Sequence, residues 1–353
     1  MSQIKGPAIC LAQYFGDEPP FDSLENITAW AKSLGFLGVQ IPASEPRAIN
    51  LDKAAESRGY CDELKSRCHG LEITELTTHL FGQLVAVNPA YDVLLDVFAA
   101  PSVKGNSQAR TAWAINQMKK SLKASRNLGL RVLPTLSGAL LWHYVYPWPP
   151  RPKGLVELAF QELAKRWKPI LDLAGEYGID LAYEIHPTED LHDGVTFERF
   201  LAATGNHKSV NMLYDPSHLV LQCIDYVGYI TCYGDYIKAF HVKDAELNPT
   251  PKSGVYGGYQ EWKDRPGRFR SLGDGQIDFK QVFSRLTEVG YSSWAVLEWE
   301  CCVKDAEQSA REAVGFIKSM LIDTPKKAFD AFAGGKADVE FNRKILGLQK
   351  EIA

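Results

Sequence analysis

Residues 180–186, DLAYEIH, decide the fold: a short apolar run that opens after a helix stop and closes on a carboxylate and a histidine. Just upstream, Tyr177-Gly178 carries the signal of a helix C-terminus, and Ile179-Asp180 starts the new element. The run lacks a polar face of period two, as expected of a parallel strand covered on both sides. The same layout recurs along the chain. Strands are expected at Ala8–Tyr14, Gly38–Ile41, Glu72–His79, Arg131–Thr135, Asp180–His186, Val210–Asp215, Ile237–Val242 and Trp294–Trp299. Between them, amphipathic stretches predict helices at Phe21–Leu34, Ala54–Arg67, Ser107–Leu128, Leu155–Tyr177, Thr196–Thr204, Phe279–Val289 and Ala306–Ile322. Asp22 or Ser23 can cap the first of these, and Gly35 follows its end.

This alternation predicts an α/β protein, a (β/α)8 TIM barrel rather than an open doubly wound sheet. No GxGxxG turn follows an early strand, which an open dinucleotide-binding sheet would want. Three segments are long for loops: Phe81–Asn106, Ser137–Pro152 and Asp244–Gln276. Each leaves the C-terminal end of a strand, so extended loops are expected on the face where barrel enzymes keep their sites. Residues 1–322 are read as the barrel domain, and residues 323–353 as a C-terminal extension with one or two short helices.

The bulk numbers bound the function. The 353 residues are 45% hydrophobic and 23% charged, with net charge -4, so a large core is within reach and a general nucleic-acid binder is disfavoured. No apolar run approaches the ~18 residues of a membrane span, and MSQIKGPAIC lacks the features of a secretory signal. Seven cysteines, an odd number with Cys301 and Cys302 adjacent and no CxxC, fit reduced thiols and a cytoplasmic protein better than a disulfide framework.

Four polar residues stand where apolar strands end: Glu184, Asp215, His241 and Glu298. They belong to the last four strands, whose ends lie side by side in a closed barrel. Alone, an acid at a strand end is commonly a cap or an ion-pair partner, and a histidine in an apolar run is commonly a satisfied core residue. Together, three carboxylates in a poorly solvated mouth repel one another unless a cation neutralises them. The mixed oxygen and nitrogen set suits one divalent ion, Mn2+ first, with Mg2+ or Co2+ as alternatives. Substrate-side candidates surround the set: His186 two residues past Glu184, His218 in DPSH, and His79 at the end of strand three. Lys243 and Glu300 are weaker ones. The loop LLWHYVYPWPP offers aromatic faces, Trp142 foremost with His143 beside it, on which a sugar can stack. Of Arg265, Arg268 and Arg270, the last lies nearest the Gly-Asp-Gly turn and is the choice for a substrate oxygen.

The ordered motifs YEIHP, YDPSH, FHVKD, GDGQIDF and LEWE resemble those of the sugar isomerase/epimerase superfamily with a xylose-isomerase-like barrel, over most of residues 8–322. The resemblance implies that Glu184, Asp215, His241 and Glu298 hold one divalent ion and that Glu184 and Glu298 act as acid and base. It implies substrate contacts for His186 and His218. The LEWECC ending, the long segment after strand seven and the C-terminal tail look more like the branch that includes inosose dehydratases and enzymes of 3-keto-glycosides.

The chemistry expected of such a site starts with loss of a proton beside a carbonyl, giving an enediolate. Return of the proton makes an isomerase or epimerase; loss of a neighbouring group makes a lyase or dehydratase on an inosose or 3-keto-glycoside. The isomerase/epimerase outcome is expected first. A three-zinc endonuclease barrel and a non-catalytic sugar-binding barrel are the other classes; the histidine count of eight and the acidic balance weigh against the first, and the intact quartet against the second. A small sugar or cyclitol is the expected partner, with a homo-oligomer or a small partner subunit possible, and neither nucleic acid nor membrane.

Overall fold

The structure is a computed structural model that describes residues 3–332, 334 and 338–348. Residues 1 and 2, and residues 333, 335–337 and 349–353 of the expected C-terminal extension, lie outside the described residues. Eight parallel strands form one sheet: β1 (Lys5–Cys10), β2 (Gly38–Pro42), β3 (Glu72–Thr77), β4 (Val132–Thr135), β5 (Asp180–Glu184), β6 (Val210–Tyr214), β7 (Ile237–Val242) and, after a two-stranded hairpin, β10 (Trp294–Leu297). The hairpin strands are β8 (Asp244–Leu247) and β9 (Gly267–Arg270). The sheet runs β3-β2-β1-β10-β7-β6-β5-β4. Its two outer strands meet where the chain leaves β3, with Thr78 N–H donating to Pro134 O of β4 at 2.9 Å. The fold is therefore a nearly closed (β/α)8 barrel.

Burial explains the apolar reading of the strands. All five residues of β2 and of β6 are buried, because helices cover the outer face while side chains fill the inside. The helix at 155–177 shows how one element positions the next. Trp167 is fully buried, packs edge-on against Tyr183 of β5 at 4.9 Å between ring centres, and donates its indole N–H to Ser137 O at 2.8 Å. That bond ties a core helix to the start of the loop after β4. The helix stops on Gly178 at φ 64°, a left-handed position that favours glycine.

Several boundaries differ from expectation. The first strand is Lys5–Cys10 rather than Ala8–Tyr14: Pro7 has no N–H and hides the strand's start, and pairing with both neighbours runs out at Cys10. The first helix begins at Leu24, and its cap is Ser23, whose Oγ accepts from Asn26 N–H. The helix expected at Ala54–Arg67 is two, Leu51–Glu56 and Arg58–Ser66, because extended Ser57 ends one and caps the next. Between β6 and β7 stand two helices the periodicity did not reveal, Pro216–Leu221 and Tyr226–Tyr233, both too short for a clear 3.6-residue repeat. Short helical turns occupy much of 79–103.

The long segment after β7 also has internal order. Asp244 accepts from the N–H groups of Ala245, Gly273, Gly275 and Ile277, so one buried carboxylate gathers the whole Gly-Asp-Gly turn beneath the hairpin. A Cβ at Gly275 would lie 2.1 Å from Asp244 Oδ1, and the close approach requires glycine.

The barrel unit extends to Ile322, and a second unit begins at Asp323. In the second, Asp338 caps a helix at Val339–Ile345. Among the described residues, no helix is long and apolar enough to cross a membrane. The seven cysteines are all free of disulfides.

Candidate active site

Glu184 ends β5, Asp215 and Glu298 directly follow β6 and β10, and His241 lies within β7. Parallel strands with common polarity bring these positions to one end of the barrel. The four residues are buried, and one ligand atom from each lies within 4.8 Å of all the others. His241 Nδ1 is 3.1 Å from Glu298 Oε2 and 3.5 Å from Glu184 Oε1. Glu184 Oε1, Asp215 Oδ2 and His241 Nδ1 are all buried without a hydrogen-bond partner. Two carboxylate oxygens and a ring nitrogen that make no hydrogen bond converge here, with the Lys243 ammonium 3.1 Å from Asp215 Oδ2, and a cation would satisfy such a set. The residues thus fit a divalent ion.

The ring of His241 is oriented from behind. Its Nε2 is 3.0 Å from Gln40 Oε1, while the Gln40 amide donates to Glu75 Oε2 at 3.3 Å. With the amide oxygen facing the ring, Nε2 carries a proton; Glu298 and Glu184 outweigh burial and hold the imidazole well above its ordinary range, so Nδ1 faces the cluster as the position whose proton a cation would replace. Gln13 holds Glu298 in the same way, donating to Oε1 at 3.0 Å. Neither glutamine was among the expected site residues. Both have the same signal as the quartet, a polar residue inside an apolar run, Gln40 in GVQIP and Gln13 in AICLAQY; the structure places Gln13 in the turn after β1. Replacing Gln40 by Met should keep the fold and weaken Mn2+ binding by roughly 10–100-fold, measured calorimetrically; an unchanged affinity would show that the bond does not orient His241.

Lys243 brings a second positive centre. Its Nζ lies 2.6 Å from Glu298 Oε2, 3.0 Å from Glu300 Oε2, 3.1 Å from Asp215 Oδ2 and 3.1 Å from His218 Nε2. Burial opposes its charge, but Asp215, Glu298 and Glu300 outweigh that and hold the ammonium well above its usual range. Burial raises Asp215 to about 7, with Lys243 opposing. Burial would also raise Glu184, yet contacts with His218, His241 and His79 hold it well below the usual carboxylate range. Burial pushes His218 well down, and Lys243 adds to the effect, so the ring is neutral.

The other expected residues fall into two groups. His79 joins the cluster, with Nε2 3.2 Å from Glu184 Oε2 and Nδ1 2.7 Å from Thr77 Oγ1. His218 stands 3.5 Å from Glu184 and 3.4 Å from Asp215, and the His186 ring packs on it at 4.1 Å. Trp142, His186 and His218 all line a cavity of about 810 Å3. Outside that lining lie His143, which packs edge-on against Tyr91 at 3.9 Å, and Arg270, whose Nη1 pairs with Glu246 Oε2 at 2.8 Å across the hairpin. It is Arg265 that lines the cavity.

The loop after β5 braces the loop after β4. Glu189 accepts from Gly138 N–H at 2.5 Å and from Ser137 Oγ at 3.3 Å, while Asp190 accepts from Leu140 and Leu141 N–H. Burial raises Glu189 to about 8, with the neighbouring Asp190 adding to the rise. A carboxyl group that keeps its proton better when folded contributes stability at low pH, and that contribution is lost as pH rises from ~4.3 towards 8. The rise corresponds to at most ~5 kcal/mol. Glu189→Gln should therefore gain in Tm over the parent as pH goes from 5 to 8; a difference that does not change with pH would refute the assignment.

Residues 28–320 match the family described as xylose isomerase-like TIM barrel. Among curated proteins, an inosose dehydratase of Bacillus licheniformis is 33% identical over 129 residues, 36% of this chain and 43% of that protein. One of Bacillus velezensis is 31% identical over 153 residues, 43% of this chain and 51% of that protein. The chain thus spans about half the length of these relatives. Among solved structures, the 3-keto-D-glucoside 4-epimerase of E. coli superposes with a TM-score of 0.59 at 14% identity, covering 88% of this chain and 98% of that one. At that identity the likeness speaks for the fold alone.

Proposed function

The chain belongs to the xylose isomerase-like TIM barrel family, and from this premise and the buried cluster we propose a divalent-metal-dependent enzyme acting on a small sugar or cyclitol. It removes a proton from the carbon beside a carbonyl, and isomerisation or epimerisation is the first outcome. The observation that carries the reading is the convergence of Glu184, Asp215, His241 and Glu298, whose ligand atoms lie buried within 4.8 Å of one another. Two carboxylate-bearing side chains, a third carboxylate and an imidazole favour Mn2+, with Mg2+ or Co2+ as alternatives. Bound there, such an ion supplies Lewis-acid polarisation of a carbonyl and offsets the charge that grows on its oxygen.

The proton chemistry belongs to the chain. Glu184 and Glu298 are both held ionised, Glu298 because Lys243 and His241 overcome the effect of burial. One takes the proton and, now a carboxylic acid, can give it back; for delivery to the opposite face the other carboxylate must first take a proton from solvent. Return to the opposite face of the same carbon gives an epimer, and return to the neighbouring carbon an isomer. Neutral His218 and His186 supply hydrogen bonds to hydroxyl groups without adding charge. His79 steadies Glu184.

Lys243 favours a second outcome, elimination. A buried ammonium between Glu298 and Glu300 is placed to balance the charge of a departing oxygen. The name of the curated relatives, inosose dehydratase, leans the same way. The two outcomes share the first step. The same reading makes the protein cytoplasmic, with self-association or a small partner subunit as its quaternary options.

The test is elemental analysis after metal repletion, then incubation in D2O with ketoses, inososes and 3-keto-glycosides. One ion per chain and deuterium entering beside the carbonyl is the expected result. The product, an epimer or isomer on one hand and a dehydrated or cleaved compound on the other, separates the outcomes. No bound metal after repletion would overturn the proposal.

A further inference from the structure

The cavity beside the cluster is larger and less polar than a sugar ring needs. Its inner wall includes His218, which reaches towards Glu184 and Asp215, and His186, whose ring packs on that of His218. Outward from His218 the lining becomes a run of rings. Phe269 meets His218 edge-on at 5.3 Å, Trp262 meets Phe269 at 5.0 Å, and the Arg265 guanidinium lies 5.3 Å from the centre of the Trp262 ring. Tyr256 shares the lining, and it remains 73% exposed, Trp262 49%. Arg265 Nε is buried without a hydrogen-bond partner.

Each observation narrows the occupant. Pockets of roughly 300–1,000 Å3 take a drug-sized ligand, and about 810 Å3 lies well up that range. A sugar can lay a C–H face on one ring, but its hydroxyl edges would meet few polar partners where Trp262, Tyr256 and Phe269 stand together. Large exposed rings grouped on one surface mark a place where an apolar partner is received. A flat aromatic group stacks on such rings, and a phenolic oxygen on it would satisfy the orphaned N–H of Arg265.

We propose that this outer region binds an aromatic aglycone, so that the substrate is an aryl keto-glycoside with its sugar ring at the four-residue cluster. The proposal rests on the carbohydrate reading above and names its substrate class. The aglycone subsite is built by the loops after β4 and β7, with Trp142 from the first and Tyr256, Trp262 and Arg265 from the second. It recognises the aryl group independently of the proton chemistry.

The experiment is a calorimetric titration of the Mn2+-loaded protein with phenyl β-glucoside and with methyl β-glucoside. Neither needs to react. Burial of the phenyl ring is expected to make the aryl compound bind about tenfold tighter or more. In Trp262→Ala that advantage should shrink to about twofold while the methyl compound binds as before, and Tyr256→Ala should reduce it as well. A phenyl glucoside that binds no better than the methyl one overturns the proposal, and so does an advantage that survives both substitutions. A groove filled instead by a second copy of the chain would show as a dimer in ultracentrifugation that Trp262→Ala dissociates, and would equally overturn it. Repeating the titration without metal separates the two readings. If the phenyl advantage persists while metal binding and deuterium exchange both fail, the subsite stands and the enediolate chemistry falls. If exchange succeeds and the advantage is absent, the reverse holds.

Discussion

Glu298→Gln should fold as the parent does and lose turnover by about 10²–10⁴-fold. The substitution keeps the shape, but its single oxygen can accept from Lys243 or from the Gln13 amide, whereas the two carboxylate oxygens accept from both, at 2.6 and 3.0 Å. It removes a negative charge that Lys243 Nζ approaches at 2.6 Å and His241 Nδ1 at 3.1 Å. Lys243 retains Asp215 and Glu300, so no buried ammonium is left unpaired. Stability should accordingly change little, since removing one of several crowded carboxylates also relieves repulsion. What disappears is a proton acceptor, because an amide has no basicity at neutral pH. Weaker metal binding would lower activity for a different reason, so the rate is to be measured at saturating Mn2+ and compared with deuterium exchange. Loss of exchange at full metal occupancy assigns the acid/base role. Activity within tenfold of the parent would remove Glu298 from that role.

The second large effect is on metal affinity. His241→Ala deletes the one nitrogen of the proposed ligand set and leaves three carboxylate residues facing one another in a buried space. The loss should exceed the 10–100-fold typical of an outer-layer change. A ligand that binds the folded state at about 100 times its Kd adds ~2.7 kcal/mol of stability, which in a chain of this size is a Tm rise of several degrees. Mn2+ should raise the Tm of the parent by such an amount and leave that of His241→Ala nearly unchanged. An equal rise in both would show that the histidine is not a ligand.

The outcomes at individual residues show which signals a sequence carries. Glu184, Asp215, His241 and Glu298 were visible because each interrupts or closes an apolar run, and parallel strands of one polarity place such positions at one barrel end. Gln40 has the same signature within GVQIP, but an amide carries no charge whose burial would demand a partner ion. Arg270 was chosen over Arg265 by nearness to the Gly-Asp-Gly turn, a distance along the chain. The structure pairs Arg270 with Glu246 across β8 and β9 and lines the cavity with Arg265. His143 was grouped with Trp142 for the same reason, yet neighbours in a 3-10 turn point in different directions, and His143 meets Tyr91 instead.

The amino-acid pattern by itself determined the barrel, its eight parallel strands and the end at which Glu184, Asp215, His241 and Glu298 converge. These follow from burial periodicity and from the common direction of parallel strands, both of which are local properties repeated along the chain. Tertiary structure alone decided the rest. Which ring of a loop lines the cavity, which arginine is spent on an ion pair, and that Gln40 steers a histidine 201 positions away are consequences of contacts between distant segments. No window of sequence contains such a contact, because its geometry is set by how the strands register and where the long loops fold back, and side-chain direction in an irregular segment has no period to read.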